Sequence, residues 1–481
     1  MLMIDHLYRF RPLARVLGGE LLDQQIYFAK PENLNDPMEG FRDIFWRGDA
    51  IVWRNLFRHY LLCAERAFSL LAILGEEHPI GWDMIPVFNL GDTSFTPEQK
   101  AKHDEIIDAF FNEECVKTYI DALATRTQPV RRAELAAHLR NIHPLALAVV
   151  QQCYERHGLL KPKAGRDPAL MGKLRETITQ AKAVIDPIRR IEEEGGPQTD
   201  LQIDAFFIAQ LNTMQELNLI HLYNGTINPK EKNRIFVLIT FCDEFVQKVE
   251  TIAYPDWYTA CFMEECRDSS VWGNYGQNHT AVCLKFKVKD AAGTPALSLY
   301  RISGLGSGGP TYGYLDHPFY QIVYENEHLP VDFFASLGRL PIPVLRQYWY
   351  GDQKSNLSSC GDEIFRNEDV WRKKYWDAFY HAIRRKLKDW HYEREHRLVL
   401  SGMFHNFTSD DSRTLKYDFK DLEGIIFGIK TPSDAKLEIF KIIEEKCRST
   451  GRTDFKFYQA LYARATGTIE HAEFRLLKFK P

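Results

Sequence analysis

The sequence predicts an α+β fold: a mixed-sheet core built from the two ends of the chain, interrupted by a large all-helical insertion. Two patterns lead there. Strand-like apolar runs crowd residues 1–40 and 235–481, whereas residues 41–234 carry long helical patterns with few strand candidates. The core is therefore placed at 1–40 plus 235–481, and the insertion at 41–234. With 481 residues, of which 45% are apolar, the chain is long enough to bury more than one core.

The formal charge of −4 gives no global basic field to draw the protein to nucleic acid or an anionic membrane, although a local basic groove remains open. Nine cysteines lack a repeated CxxC or a Cys/His ligand spacing, which fits reduced cytoplasmic thiols and no metal site. The N-terminus has no basic stretch followed by a long apolar one, so no signal peptide is expected. No uninterrupted apolar window of about 18 residues is present, so no membrane partner is expected either.

Taken in order, residues 4–10 predict a first strand with Arg9 inside it, then a short helix over 12–22. An arginine within a strand raises the question of what it binds; an edge-strand ion pair is the alternative. Residues 26–29 form a second strand, ended by the polar turn 31–37, where Asn35 and Asp36 are either Asx-turn formers or ligand contacts. Helices follow over 97–123, 133–157, 171–194 and 201–222, with Gly195-Gly196-Pro197 as a break. Residues 235–241 are strand or helix, and 257–262 a strand. Residues 268–275, which contain Trp272 and Tyr275, form a short helix or turn. Val282, Leu284, Phe286 and Val288 alternate as a half-buried strand should. The stretch 304–309 matches GxGxxG, but Pro310 follows and no helix opens, so a flexible loop is expected rather than a phosphate cradle. A strand at 319–324, an aromatic helix over 369–390, and a strand, helix, strand tail over 422–459 complete the core, with a last strand at 474–479.

The densest chemistry lies at Trp390-His-Tyr-Glu-Arg-Glu-His-Arg-Leu-Val-Leu400, where a charged run meets an apolar one. Glu393 and Glu395 are two apart, so in extended backbone both carboxylates leave one face as an acid/base pair before a buried strand. The bland alternative is a solvated, salt-bridged strand end.

Together, Tyr8-Arg9-Phe10, Ile26-Tyr-Phe-Ala29 leading into Asn35-Asp36-Pro37, Trp272-Gly-Asn-Tyr275, and Trp390-x-x-Glu393-x-Glu395-x-Arg397 resemble the bacterial family catalogued as "domain of unknown function 2971". The likeness covers roughly 1–40 and 255–465 in family order and excludes the insertion. More distantly, the strand Tyr-Arg, the Tyr-Phe-Ala strand and the Glu-x-Glu before an apolar strand are similar to parts of the ADP-ribosyltransferase fold. That resemblance implies NAD as substrate, Glu395 as catalytic glutamate and Glu393 as the glutamate assisting the acceptor. It also implies Arg9, with Tyr8, at a phosphate or ribose, Tyr27 near the nicotinamide, and Asn35, Asp36, Trp272, Tyr275 and Arg397 around the ligand. Physically, a fixed carboxylate stabilises the charge that develops on the ribose, a forked cation suits a diphosphate, and aromatic rings stack on a cationic nicotinamide.

Arg9, Tyr27, Trp272 and Glu395 are thus expected to converge on one pocket. The expected function is an NAD-consuming transferase or glycohydrolase, acting on a protein or nucleic-acid acceptor as a defence or toxin effector. Its helical insertion would hold a partner or regulator. Two other classes remain open: a metal-dependent nuclease using Asp36, His391, Glu393 and Glu395, and a non-catalytic sensor in which the Glu/Arg segment is an ion-pair network.

Overall fold

The computed structural model describes residues 4–479 apart from 37, 88–95, 163–164, 166, 197, 292, 307, 403–406, 408 and 478. Pro37, Pro197 and Ser307, used in the sequence reading, lie outside the described residues. The chain is α+β with mixed sheets and forms two compact units: residues 1–41, 256–328 and 379–481, and residues 42–255 with 329–378.

The first unit is organised by an eight-stranded sheet. Its order runs Thr468–Glu473, Lys456–Ala463, Leu422–Phe427, Val282–Lys287, His6–Arg11, Trp257–Met263, Glu395–Ser401, Tyr320–Gln321. Only the Leu422–Phe427 and Lys456–Ala463 pair is parallel, joined through the helix Ser433–Thr450 as a parallel connection requires. The N-terminal strand sits near the centre, antiparallel to Val282–Lys287 and Trp257–Met263, so the two ends of the sequence share one sheet.

Alternation sends successive side chains to opposite faces. One face carries Leu7, Phe262, Leu284, Phe286, Leu398 and Ile425, and buries them against Ser433–Thr450 and a second sheet. That second sheet contains Gln25–Tyr27, Thr414–Tyr417, Lys289–Ala291, Thr294–Gly306 and Gly309–Pro318. The other face carries Phe10, Met263, Cys283 and Ile426 around the buried Trp272 of the short helix Ser269–Asn274.

The second unit is mainly helical. Its long helices are Ala50–Leu74, Pro97–Phe111, Glu114–Ala124, Arg132–Arg156, Leu170–Glu194 and Thr199–Tyr223. It reaches beyond the expected 41–234 and takes in residues 235–255 and 329–378. Residues 235–241 are helical and run into Phe241–Ala253. The expected single helix over 97–123 is two, divided at Asn112. Among the described residues no helix is long and apolar enough to cross a membrane.

Four further stretches differ from the sequence expectation. The glycine-rich 304–309 stretch is the tip of a hairpin between Thr294–Gly306 and Gly309–Pro318, because Gly309 at φ +108 supplies a turn an L-residue resists. The 369–390 helix ends at Ile383, and Arg385–Lys386 is extended. Among the described residues the last strand is Thr468–Glu473, upstream of the expected 474–479, of which residue 478 lies outside the described residues. Residues 319–324 form two short strands, Tyr320–Gln321 and Val323–Tyr324.

Candidate functional site

At the start of the strand Glu395–Ser401, five charged side chains from distant parts of the sequence converge: Glu39, Lys386, Glu393, Glu395 and Arg397. Their side chains are 4% exposed or less. The Lys386 ammonium donates to Glu393 at 2.7 Å and to Glu395 at 3.1 Å, with Glu39 at 3.7 Å. Arg397 forks onto Glu395 through Nε (2.7 Å) and Nη2 (3.1 Å), while Nη2 also lies 2.6 Å from Glu39 and Nη1 donates to the Ile383 carbonyl.

Local structure explains each arrival. Asp36 is the Asx-turn former: its carboxylate accepts the Met38 amide, its carbonyl accepts the Glu39 amide, and Gly40 at φ +73 turns the chain on. Lys386 is fixed by Arg385–Lys386 pairing in parallel with Val323–Tyr324. Tyr324, opposite Lys386, accepts the Glu395 amide through its hydroxyl at 2.8 Å. Glu393 ends the 3₁₀ helix Lys388–Glu393, and Arg394 stands in the left-handed region at φ +44 before the strand begins at Glu395. The two glutamates therefore do not leave a common face of extended backbone, as their spacing suggested. A left-handed residue between them returns both carboxylates to one ammonium.

Three carboxylates face two cations, so full ionisation would leave one negative charge unmatched in a buried space. The protonation preferences divide accordingly. Burial alone would raise Glu395, but Arg397 and Lys386 outweigh it and hold that carboxyl well below its ordinary range. Glu393 is pushed up by burial and by Glu395, against the pull of Lys386, and Glu39 is pushed up by burial despite Arg397. Burial opposes the Lys386 charge, yet the surrounding carboxylates hold its ammonium above the ordinary lysine range. Tyr275 donates to Glu393 at 2.5 Å, and burial beside that carboxylate raises the phenol.

Of the residues singled out in the sequence, the cluster gathers Glu393, Glu395, Arg397 and Tyr275. Tyr8 is in the same row of the sheet, since both Tyr8 and Glu395 are opposite Met263. Trp272 is fully buried, packs edge-to-face on Phe10 and donates to the Cys266 carbonyl, as a core residue does. Arg9 and Tyr27 do not join the site. Arg9 alternates with Tyr8 and faces the opposite side of the sheet, where it lies 5.2 Å from the Phe262 ring centroid and donates to the Tyr27 carbonyl at 3.1 Å. Its Nε and Nη1 have no hydrogen-bond partner among the described residues, and burial lowers its guanidinium to about 10. Tyr27 instead meets Asp410 and Arg413. The expected convergence of Arg9, Tyr27, Trp272 and Glu395 thus fails: strand parity turns Arg9 to the other face, Tyr27 lies in the second sheet, and Trp272 is a core side chain. Asn35 is not among the cluster's partners. His391, an expected metal ligand of the nuclease alternative, is exposed and bonds to the Lys388 carbonyl.

Sequence reasoning missed Glu39 and Lys386. Glu39 stands three residues after Asp36, the reach of the turn that Asp36 nucleates. Lys386 closes the basic run Arg384-Arg385-Lys386 at the end of an apolar helical stripe. Among the described residues the group with metal-ligand spacing is Glu105, Cys153 and His157, in the helical unit. No known protein family, curated protein or solved structure matches this chain.

Proposed function

We propose that the cluster is the acid/base centre of an enzyme that hydrolyses or transfers at a glycosidic bond, with NAD as the substrate. The observation that carries this reading is two buried glutamates held on one ammonium; Arg397 and Lys386 favour the ionised form of Glu395, while burial pushes Glu393 toward its neutral form. Carboxyl groups whose environments push them apart are what glycosyl chemistry uses. The ionised one stabilises positive charge developing on the sugar, and the protonatable one serves the leaving group or acceptor. Glu395 takes the first role and Glu393 the second.

NAD enters through the distant resemblance to the ADP-ribosyltransferase fold. The fit is local: the carboxylates and the partly buried rings of Tyr8, Tyr275 and Tyr392 suit it. Arg9, on the other face of the sheet, and Tyr27, in the second sheet, do not, so no ligand grip is assigned to them. Because their partners cover both carboxylates, turnover requires the Tyr275 hydroxyl to leave Glu393 and admit substrate. A protein or nucleic-acid acceptor, a cytoplasmic location and an effector role belong to the same proposal.

The test is nicotinamide release from labelled NAD, alone and with cell lysate. Glu395→Gln should lower it on the order of a hundredfold, since it deletes the stabilising charge while keeping the shape. Glu393→Gln should reduce transfer more than hydrolysis. Release by Glu395→Gln as fast as by the parent sinks the mechanism.

A second reading has its own observation. Every member of the cluster is buried and held by partners, which is the closed ion-pair network of a non-catalytic sensor. Thermal stabilisation by NAD analogues supports the enzyme, by Mg²⁺ the nuclease, and by neither the sensor.

A further inference from the structure

Within the helical unit, the helices Ala50–Leu74 and Pro97–Phe111 and the residues around the end of Ile342–Tyr348 enclose a cavity of about 480 Å³. That volume is in the range of small-molecule sites. Two arginines one helical turn apart, Arg54 and Arg58, line one wall. The Arg54 guanidinium lies 4.1 Å from the Phe111 ring centroid, and that of Arg58 lies 5.6 Å from the Tyr348 ring centroid. Both rings also line the cavity, so the aromatic faces fix the two forks without using up their N–H groups.

Among the described residues neither guanidinium makes an ion pair or a side-chain hydrogen bond. Arg54 senses Asp108 and Asp352 only at longer range, while burial and Arg58 hold its guanidinium below its ordinary value. Asp352 is committed elsewhere: it accepts the amides of Lys354 and Asn356 and the Asn356 side chain, each at 2.8 Å. Asp104 and Asp108, again one turn apart, bring two further carboxylates to the lining.

We propose that this cavity binds a small phosphomonoester bearing hydroxyl groups, a sugar phosphate or mononucleotide. The phosphate seats on the Arg54 and Arg58 forks, and the hydroxyls donate to Asp104 and Asp108. Ten N–H donors on two planar forks suit a phosphate dianion better than a lone carboxylate, and among the described residues neither fork is committed to a carboxylate. The two aspartates set specificity: they accept from sugar hydroxyls and repel a second phosphate, so monophosphates are favoured over pyrophosphate. The site is independent of the glycosyl-transfer reading and stands or falls without it.

The probes are ribose 5-phosphate, adenosine 5′-monophosphate and inorganic pyrophosphate, titrated calorimetrically into the full chain. The expected order is ribose 5-phosphate or the mononucleotide ahead of pyrophosphate, with affinity falling as salt rises. Arg54→Gln and Arg58→Gln should each weaken the monophosphates roughly tenfold or more. Arg54→Lys, which keeps the charge and the fold but loses the fork, should also weaken them. Asp104→Asn with Asp108→Asn should reverse the preference toward pyrophosphate. No uptake of either monophosphate by the parent at about 5 mM, a concentration that detects even millimolar affinity, overturns the proposal. So does unchanged binding by Arg54→Lys, or a preference for pyrophosphate in the parent.

Discussion

Replacing Lys386 with Met keeps the length of the side chain and removes the charge on which the cluster is built. Glu395 would keep the Arg397 fork, and Glu39 its contact with Arg397, but Glu393 would lose its one cationic partner among the described residues and retain the Tyr275 hydroxyl. Breaking one side of a buried pair leaves an uncompensated charge and costs about 3–5 kcal/mol. For a unit of this size that lowers its melting transition by roughly 10 °C or more. Glu393→Gln in the Lys386→Met background removes the stranded charge and should recover about 2 kcal/mol, a coupling that a double-mutant cycle isolates.

The deficit should also depend on pH, and the sign is fixed. Glu393 and Glu39 already stand above their ordinary value, and loss of the ammonium raises them further. The folded Lys386→Met chain then binds more protons than its unfolded form, so its stability rises as pH falls from 7 toward 5 and the gap to the parent narrows. Urea or thermal unfolding at the two pH values measures this. Melting equal to the parent, or a deficit unchanged between pH 7 and 5, would refute the claim that these charges act as one buried network.

Other outcomes can be stated briefly. Arg9→Met should cost less than about 1 kcal/mol in urea unfolding and leave nicotinamide release unchanged, because Arg9 is a buried cation with two unpartnered nitrogens outside the cluster; loss of activity would return Arg9 to the site. Tyr275→Phe should raise Glu393 further, so in an active chain the limb of the pH–rate profile reporting that group moves to higher pH. His317 is buried neutral, donates to the Val399 carbonyl, and is held at about 4 by burial against an ordinary 6.5. Its lowered value means the unfolded chain takes up the proton first. About 3 kcal/mol of stability should therefore drain away between pH 6.5 and 4, and His317→Gln should flatten that slope in acid unfolding.

How far the sequence could be read depends on whether the information is local. Alternation at Val282, Leu284 and Phe286, the Asp268 cap of Ser269–Asn274, and the charged lead into Leu398–Leu400 are local patterns, and each element stands where it was expected. The face on which Arg9 lands is not local. It follows from the register that sets Tyr8 opposite Met263, itself opposite Glu395, across more than 200 positions of sequence, and a shift of one residue would have reversed it. Glu39 and Lys386 were hidden for a related reason. Each looks like an ordinary surface charge until a turn at Asp36 and a helix end at Ile383 carry it inward. Glycine in the 304–309 tip masked a hairpin whose ladder is carried by flanking residues, including the stacked Tyr300 and Tyr312.

Stability alone is a poor reason to bury such a cluster. Desolvating several charges costs more than a well-packed apolar set of the same volume, and the cluster draws on separate stretches of chain that must all be in register before any charge is matched. What the arrangement does provide is a carboxyl held toward its ionised form beside one pushed toward protonation, with the Lys386 ammonium as the contact between them, a tyrosine hydroxyl on Glu393 and a partly exposed aromatic edge. The convergence of Glu393 and Glu395 on one buried ammonium, with the Tyr275 hydroxyl on Glu393, is the geometry on which the proposed enzymatic reading rests, and the opposite directions in which their surroundings push the two carboxyls support it.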